Sequence, residues 1–175
     1  MPKKRNIVLI GMPGAGKSTL GVLLAKIANM NFMDCDLLIQ NTYKKTLQTL
    51  INERGINGFL GLENDVLSSI NVENHVISTG GSAVYSPAAM RHLAKSGVVV
   101  YLEISYSELV SRLGDLDERG VVMRSGKQGG LRALYAERKP LYEQFAQLTV
   151  DVDGLTVDAA AKKVLEQLSK YNTNA

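Results

Sequence analysis

The segment Gly11-Met12-Pro13-Gly14-Ala15-Gly16-Lys17-Ser18 constrains this chain more than any other. It fulfils G-x-x-x-x-G-K-[ST] in full, directly after the apolar run 7–10 and directly before a helical pattern. Average residue usage gives a chance match on the order of 1% in a chain of this length. Strand, glycine-rich turn and helix in that order form the context in which such a loop wraps phosphate. Glycines let backbone N–H groups turn inward with no Cβ in the way. The helix N-terminus adds partial positive charge. Lys17 is expected to reach the terminal phosphates and Ser18 to ligate Mg²⁺, with Gly11, Gly14, Ala15, Gly16 and Thr19 completing the nucleotide cradle.

Short apolar runs alternate with helical patterns along the chain. Strands are predicted at 7–10, 31–34, 75–78, 98–102 and 148–152. Leu20, Leu23, Leu24 and Ile27 mark one face of the first helix. Residues 37–70 read as helix-rich, with Gly55 and Gly58 as breaks. The last helix repeats Val157, Ala160, Ala161, Val164, Leu165 and Leu168, with Thr156 as its cap. Strands apolar throughout and separated by helices imply an α/β fold, a parallel sheet covered on both faces, in one domain over 1–175. Ligands of such sheets bind at the strands' carboxyl ends, where the unusual residues fall here.

A phosphate loop alone does not separate kinases from switches and motors. No N/T-K-x-D guanine-reading motif is present. Asp151-Val152-Asp153-Gly154 spells D-x-x-G but lies too near the C-terminus for a switch, where a turn explains it better. At 175 residues the chain suits a compact phosphotransferase acting on a small molecule, which needs a lid to keep water from ATP. Residues 114–130, carrying Arg119, Arg124 and Lys127, are the candidate lid. A nucleotide-dependent binding protein without this activity is the alternative class.

Asp34 and Asp36 form a D-x-D pair, side by side in an extended segment, one to organise Mg²⁺ and one to accept a hydrogen bond from an acceptor hydroxyl. The alternative for Asp36 is to cap the helix that begins at Leu37, a role that can coexist with the first. Thr79-Gly80-Gly81-Ser82 permits close approach of a ligand, or is a simple tight turn. Arg138, in Glu137-Arg138-Lys139-Pro140-Leu141-Tyr142, could fork onto a carboxylate or pair with a surface glutamate, and Pro140 should kink or break its helix.

A net charge of +3 is too small to argue for nucleic acid. No run approaches the ~20 apolar residues of a membrane span, and none reads as a secretory signal. Cys35 is the sole cysteine, so no internal disulfide forms and a cytoplasmic setting is expected. With it, His75 and His92 make no zinc site. A monomer is expected.

Together the phosphate loop, Met33-Asp34-Cys35-Asp36, Gly58-Phe59-Leu60-Gly61-Leu62-Glu63, Val76-Ile77-Ser78-Thr79-Gly80-Gly81-Ser82-Ala83-Val84 and the segment around Arg138 resemble the shikimate kinases over nearly the whole chain. The resemblance implies a three-layer fold around a five-stranded parallel sheet of nucleoside-monophosphate-kinase type. It implies phosphoryl transfer from ATP, with Mg²⁺, to the 3-hydroxyl of shikimate. By position it makes Asp34 the Mg²⁺-organising residue and Asp36 the partner of the substrate hydroxyls. Gly80 and Gly81 would line the substrate pocket, Arg138 would hold the carboxylate, Arg112 would stack near adenine, and Arg119 would be the lid arginine. Three positions depart: Leu60 stands where the family has an arginine, Ser82 replaces the third glycine of G-G-G, and Arg119-Gly120-Val121 replaces R-P-L, which makes Arg124 a competitor. The alternative acceptor is a different small hydroxylated molecule.

Overall fold

The computed structural model describes residues 5–113 and 130–174. The chain runs β1 (Asn6–Ile10), α1 (Lys17–Ala28), β2 (Asn31–Asp34), α2 (Cys35–Tyr43), α3 (Leu47–Ser69), β3 (His75–Ser78), a 3-10 turn (Ala83–Tyr85) and α4 (Pro87–Ser96). It continues through β4 (Gly97–Glu103), α5 (Tyr106–Arg112), α6 (Gly130–Phe145), β5 (Leu148–Asp151) and α7 (Val157–Asn174). The strands form one parallel sheet in the order β2-β3-β1-β4-β5. Every residue of β1 is buried, and β4 is buried up to Leu102. Successive strand residues point to opposite faces, so burial of all of them requires cover on both sides. The expected three-layer architecture is therefore present, and all five strands lie within a residue of their predicted ends.

Five local expectations are corrected. Helix α1 buries Lys17, Leu20, Gly21, Leu24 and Ala25, while Ile27 is 51% exposed. Small residues turn this face to the sheet: a Cβ on Gly21 would stand 2.6 Å from the Phe32 ring, so helix and strand meet there at a distance only hydrogen allows. Gly58 is helical within α3; only Gly55, at φ 69° and ψ 174°, interrupts it. Pro140 does not end α6, which continues to Phe145. The cap of α2 is Asp34, whose Oδ1 accepts from Leu37 N at 3.1 Å, and Asp36 lies in the first turn. The Asp34–Asp36 pair is therefore not extended, because Cys35 already opens the helix.

Thr156 caps α7 as expected, its hydroxyl accepting from Ala159 N at 3.2 Å. His75 Nδ1 lies 2.8 Å from Glu73 O and His92 Nε2 2.6 Å from Ile70 O, which gives both histidines local structural partners. Beside the main core, Ile39, Leu50, Phe59 and Val66 form a separate small cluster between α2 and α3. No helix among the described residues is long and apolar enough to cross a membrane.

Candidate active site

The carboxyl end of β1 feeds straight into the glycine-rich loop. Gly14 and Gly16 adopt φ of 86° and 91°, the left-handed region that turns successive N–H groups to one side. Lys17 opens α1 and is 7% exposed. Its Nζ donates to Gly11 O at 2.8 Å and Met12 O at 2.9 Å, which holds the ammonium inside the loop. Burial pushes this amine down to about 8, against the pull of Asp36. Ser18 Oγ donates to Asp34 Oδ2 at 2.6 Å and lies 3.3 Å from Ser78 Oγ. Asp34 thus joins the first turns of α1 and α2. A serine hydroxyl beside a carboxylate oxygen is a hard donor set of the kind Mg²⁺ takes, so the residues present fit that ion.

Across the cleft, the turn after β3 brings charged groups against bare backbone. A Cβ on Gly80 would come within 2.7 Å of Asp36 Oδ1 and 2.9 Å of Glu63 Oε1; one on Gly81 would meet Arg138 Nη1 at 2.7 Å and Pro13 at 2.8 Å. The turn is also internally bonded, with Ala83 N donating to Gly80 O at 3.2 Å. Both readings of these glycines therefore hold. Asp36 is held above the usual carboxylate range by burial, opposed by Lys17. Arg138 is 1% exposed, which excludes the surface ion pair as its main setting. Lys17, Asp36, Phe59, Gly80 and Arg138 line one cleft of about 410 Å³ together with the phosphate loop. It lies at the carboxyl ends of the strands, where a parallel sheet presents its ligands.

Arg112, at the end of α5, donates from Nε to Glu108 Oε1 at 2.7 Å. Its Nη1 stands 4.0 Å from where a Cβ on Gly16 would be, so it overhangs the phosphate loop. Asp153 Oδ1 accepts from Ser105 N at 2.8 Å, so the D-x-x-G segment is a turn that ties β5 to α5. Arg119, Arg124 and nearly all of the candidate lid lie outside the described residues.

Sequence reading did not single out Glu63, which stands against the Gly80 turn at the back of the cleft. It is 1% exposed, accepts from Ser82 Oγ at 2.7 Å through Oε2, and burial pushes its carboxyl up to about 7. The available signal was its spacing: Glu63 follows Phe59 by four residues, one helical turn, and so shares its buried face. Leu60 is not on the cleft wall; it packs against the cluster between α2 and α3.

Residues 13–169 match the family model described as shikimate kinase. A shikimate kinase of Vibrio vulnificus is 32% identical over 171 residues, covering 97% of this chain and 99% of that one. One from Francisella tularensis subsp. holarctica is 36% identical, covering 94% of each. The structure of a shikimate kinase from Acinetobacter baumannii in complex with shikimate superposes with a TM-score of 0.80 at 27% identity, covering 95% of this chain and 94% of that one. Family match, near-complete coverage and the cleft agree, and the chain belongs to the shikimate kinase family.

Proposed function

We propose that this chain transfers the γ-phosphoryl group of ATP to the 3-hydroxyl of shikimate, in the cytoplasm, with Mg²⁺ held by Ser18 and by Asp34. The observation that carries the reading is the pairing of Asp36 and buried Arg138 in the cleft that also holds Lys17. A hydroxyl acceptor with a carboxylate needs both ends met: a carboxylate to take the proton and a guanidinium fork for the anion. Asp36, held above its ordinary range, is suited to receive the hydroxyl proton on Oδ1 as the oxygen attacks phosphorus. Gly80 and Gly81 let the acceptor lie against the backbone between these groups.

Lys17 and the N–H groups of the loop, with Gly11, Gly14, Ala15, Gly16 and Thr19, bear on the phosphates; Arg112 bears on the nucleotide from above the loop. Magnesium, when bound, neutralises phosphate charge. Arg119 is assigned the lid arginine's role on the transferring group, with Arg124 as the competing candidate. Leu60 leaves the carboxylate to Arg138 without the family's second arginine.

ADP release measured over hydroxylated acids, sugars and nucleosides tests the assignment. Shikimate is expected to support turnover and the sugars and nucleosides to support none. Folded, ATP-binding protein that releases no ADP with shikimate would remove the acceptor assignment.

A further inference from the structure

Arg138 is gripped from behind. Its Nη1 faces Gly81 and the cleft, while Nε, on the other edge of the guanidinium, donates to Tyr85 Oη at 3.3 Å. The guanidinium carbon lies 5.3 Å from the Tyr85 ring centroid. Tyr85 Oη donates in turn to Glu137 Oε1. A phenol has one proton to give. Here Glu137 takes that proton, which fixes the hydroxyl rotor and turns a lone pair to Nε. Tyr85 itself is not part of the cleft wall, so whatever it does for a ligand passes through Arg138.

A guanidinium is a rigid plane whose N–H bonds point along fixed directions. Holding Nε therefore settles where the Nη edge points, and a planar two-oxygen anion is the ligand that rewards such alignment. We propose that Tyr85 is a positioning residue for the acceptor: by holding Arg138 Nε it aims the Nη edge at a carboxylate and sets the preference for carboxylate-bearing acceptors over neutral analogues. The inference rests on the reading above, in which Arg138 holds the acceptor's carboxylate.

Steady-state kinetics on the full chain test it, with shikimate and its carboxamide as paired acceptors. Tyr85→Phe keeps the ring and removes the hydroxyl. It is expected to raise the KM for shikimate about 5- to 30-fold, less than the roughly 10- to 150-fold worth of a direct hydrogen bond to a charged group, because the bond lost acts through Arg138. The kcat and the KM for ATP should stay within about twofold, and the KM for the carboxamide should barely move, so that discrimination falls. Glu137→Leu, which removes the acceptor of the Tyr85 proton and leaves the Tyr85 ring and hydroxyl in place, is expected to raise the shikimate KM in the same direction and serves where Tyr85→Phe melts early. An unchanged shikimate KM in folded Tyr85→Phe or Glu137→Leu overturns the proposal, as does an equal loss with both acceptors. Arg138→Lys separates the two readings: a large rise in shikimate KM there, beside no change in Tyr85→Phe, removes only the positioning role. No rise in Arg138→Lys removes the carboxylate reading and this proposal together.

Discussion

Glu63 has one carboxyl oxygen engaged by Ser82, while Oε1 has no hydrogen-bond partner among the described residues. Burial raises its acid to about 7; the Ser82 bond opposes this, Asp36 adds to it, and Arg138 opposes it. In the unfolded chain the same group ionises near its ordinary value, 4.5. Between those two pH values the unfolded state has lost the proton that the folded state keeps, so stability falls as pH rises. A shift of this size corresponds to about 3 kcal/mol. Urea unfolding at pH 5 and pH 8 should therefore show wild-type protein losing stability across that window, and Glu63→Gln losing markedly less. If Asp36 takes the hydroxyl proton as proposed, Asp36→Asn is expected to lower kcat by about 10²- to 10⁴-fold while Mg·ATP affinity, read by calorimetry, stays near wild type.

At the scale of elements, α1 owes its seat to small side chains. Gly21→Ala would drive a methyl group to 2.6 Å from the Phe32 ring, and a cost of about 1–3 kcal/mol in thermal or urea unfolding is expected. The same contact explains what periodicity could not reveal: the leucines at 20 and 24 placed a helix there, but only a packed strand shows that Gly21 and Ala25, rather than Ile27, complete its inner face. The inner strands β1 and β4 were legible because a sheet buried on both sides leaves uninterrupted apolar runs, whereas the edge strands β2 and β5 are short and partly exposed. The phosphate loop was legible because its chemistry lies in consecutive residues. The D-x-D spacing announced two useful carboxylates and misled about their geometry, since helix α2 begins between them. Glu63 and Tyr85 stayed hidden for a related reason. A glutamate in a helix and a tyrosine after a turn look like surface residues until α3 and α6 are packed over the turn that follows β3.

For the molecule as a whole, the sheet order divides labour around β1. Its own carboxyl end carries the phosphate loop, while β2 and β3 lead into Asp34, Asp36 and the Gly80–Gly81 turn. Mg·ATP at 100 times its dissociation constant should stabilise the fold by about 2.7 kcal/mol, seen as a rise in melting temperature that Lys17→Ala abolishes. The cluster of Ile39, Leu50, Phe59 and Val66 is separate from the main core. Amides of α2 and of the first half of α3 are accordingly expected to exchange with deuterium through openings of lower free energy than those of β1 and β4. Cys35 and Leu67 still root these helices in the main core and Leu38 packs against both clusters, so the far ends of α2 and α3, not the whole pair, have an anchor of their own. Of the cleft lining, only Phe59 is among the buried residues of that outlying cluster, and it is the place where a changed side chain would disturb least, while the phosphate loop, rooted in the central strand, has no such latitude.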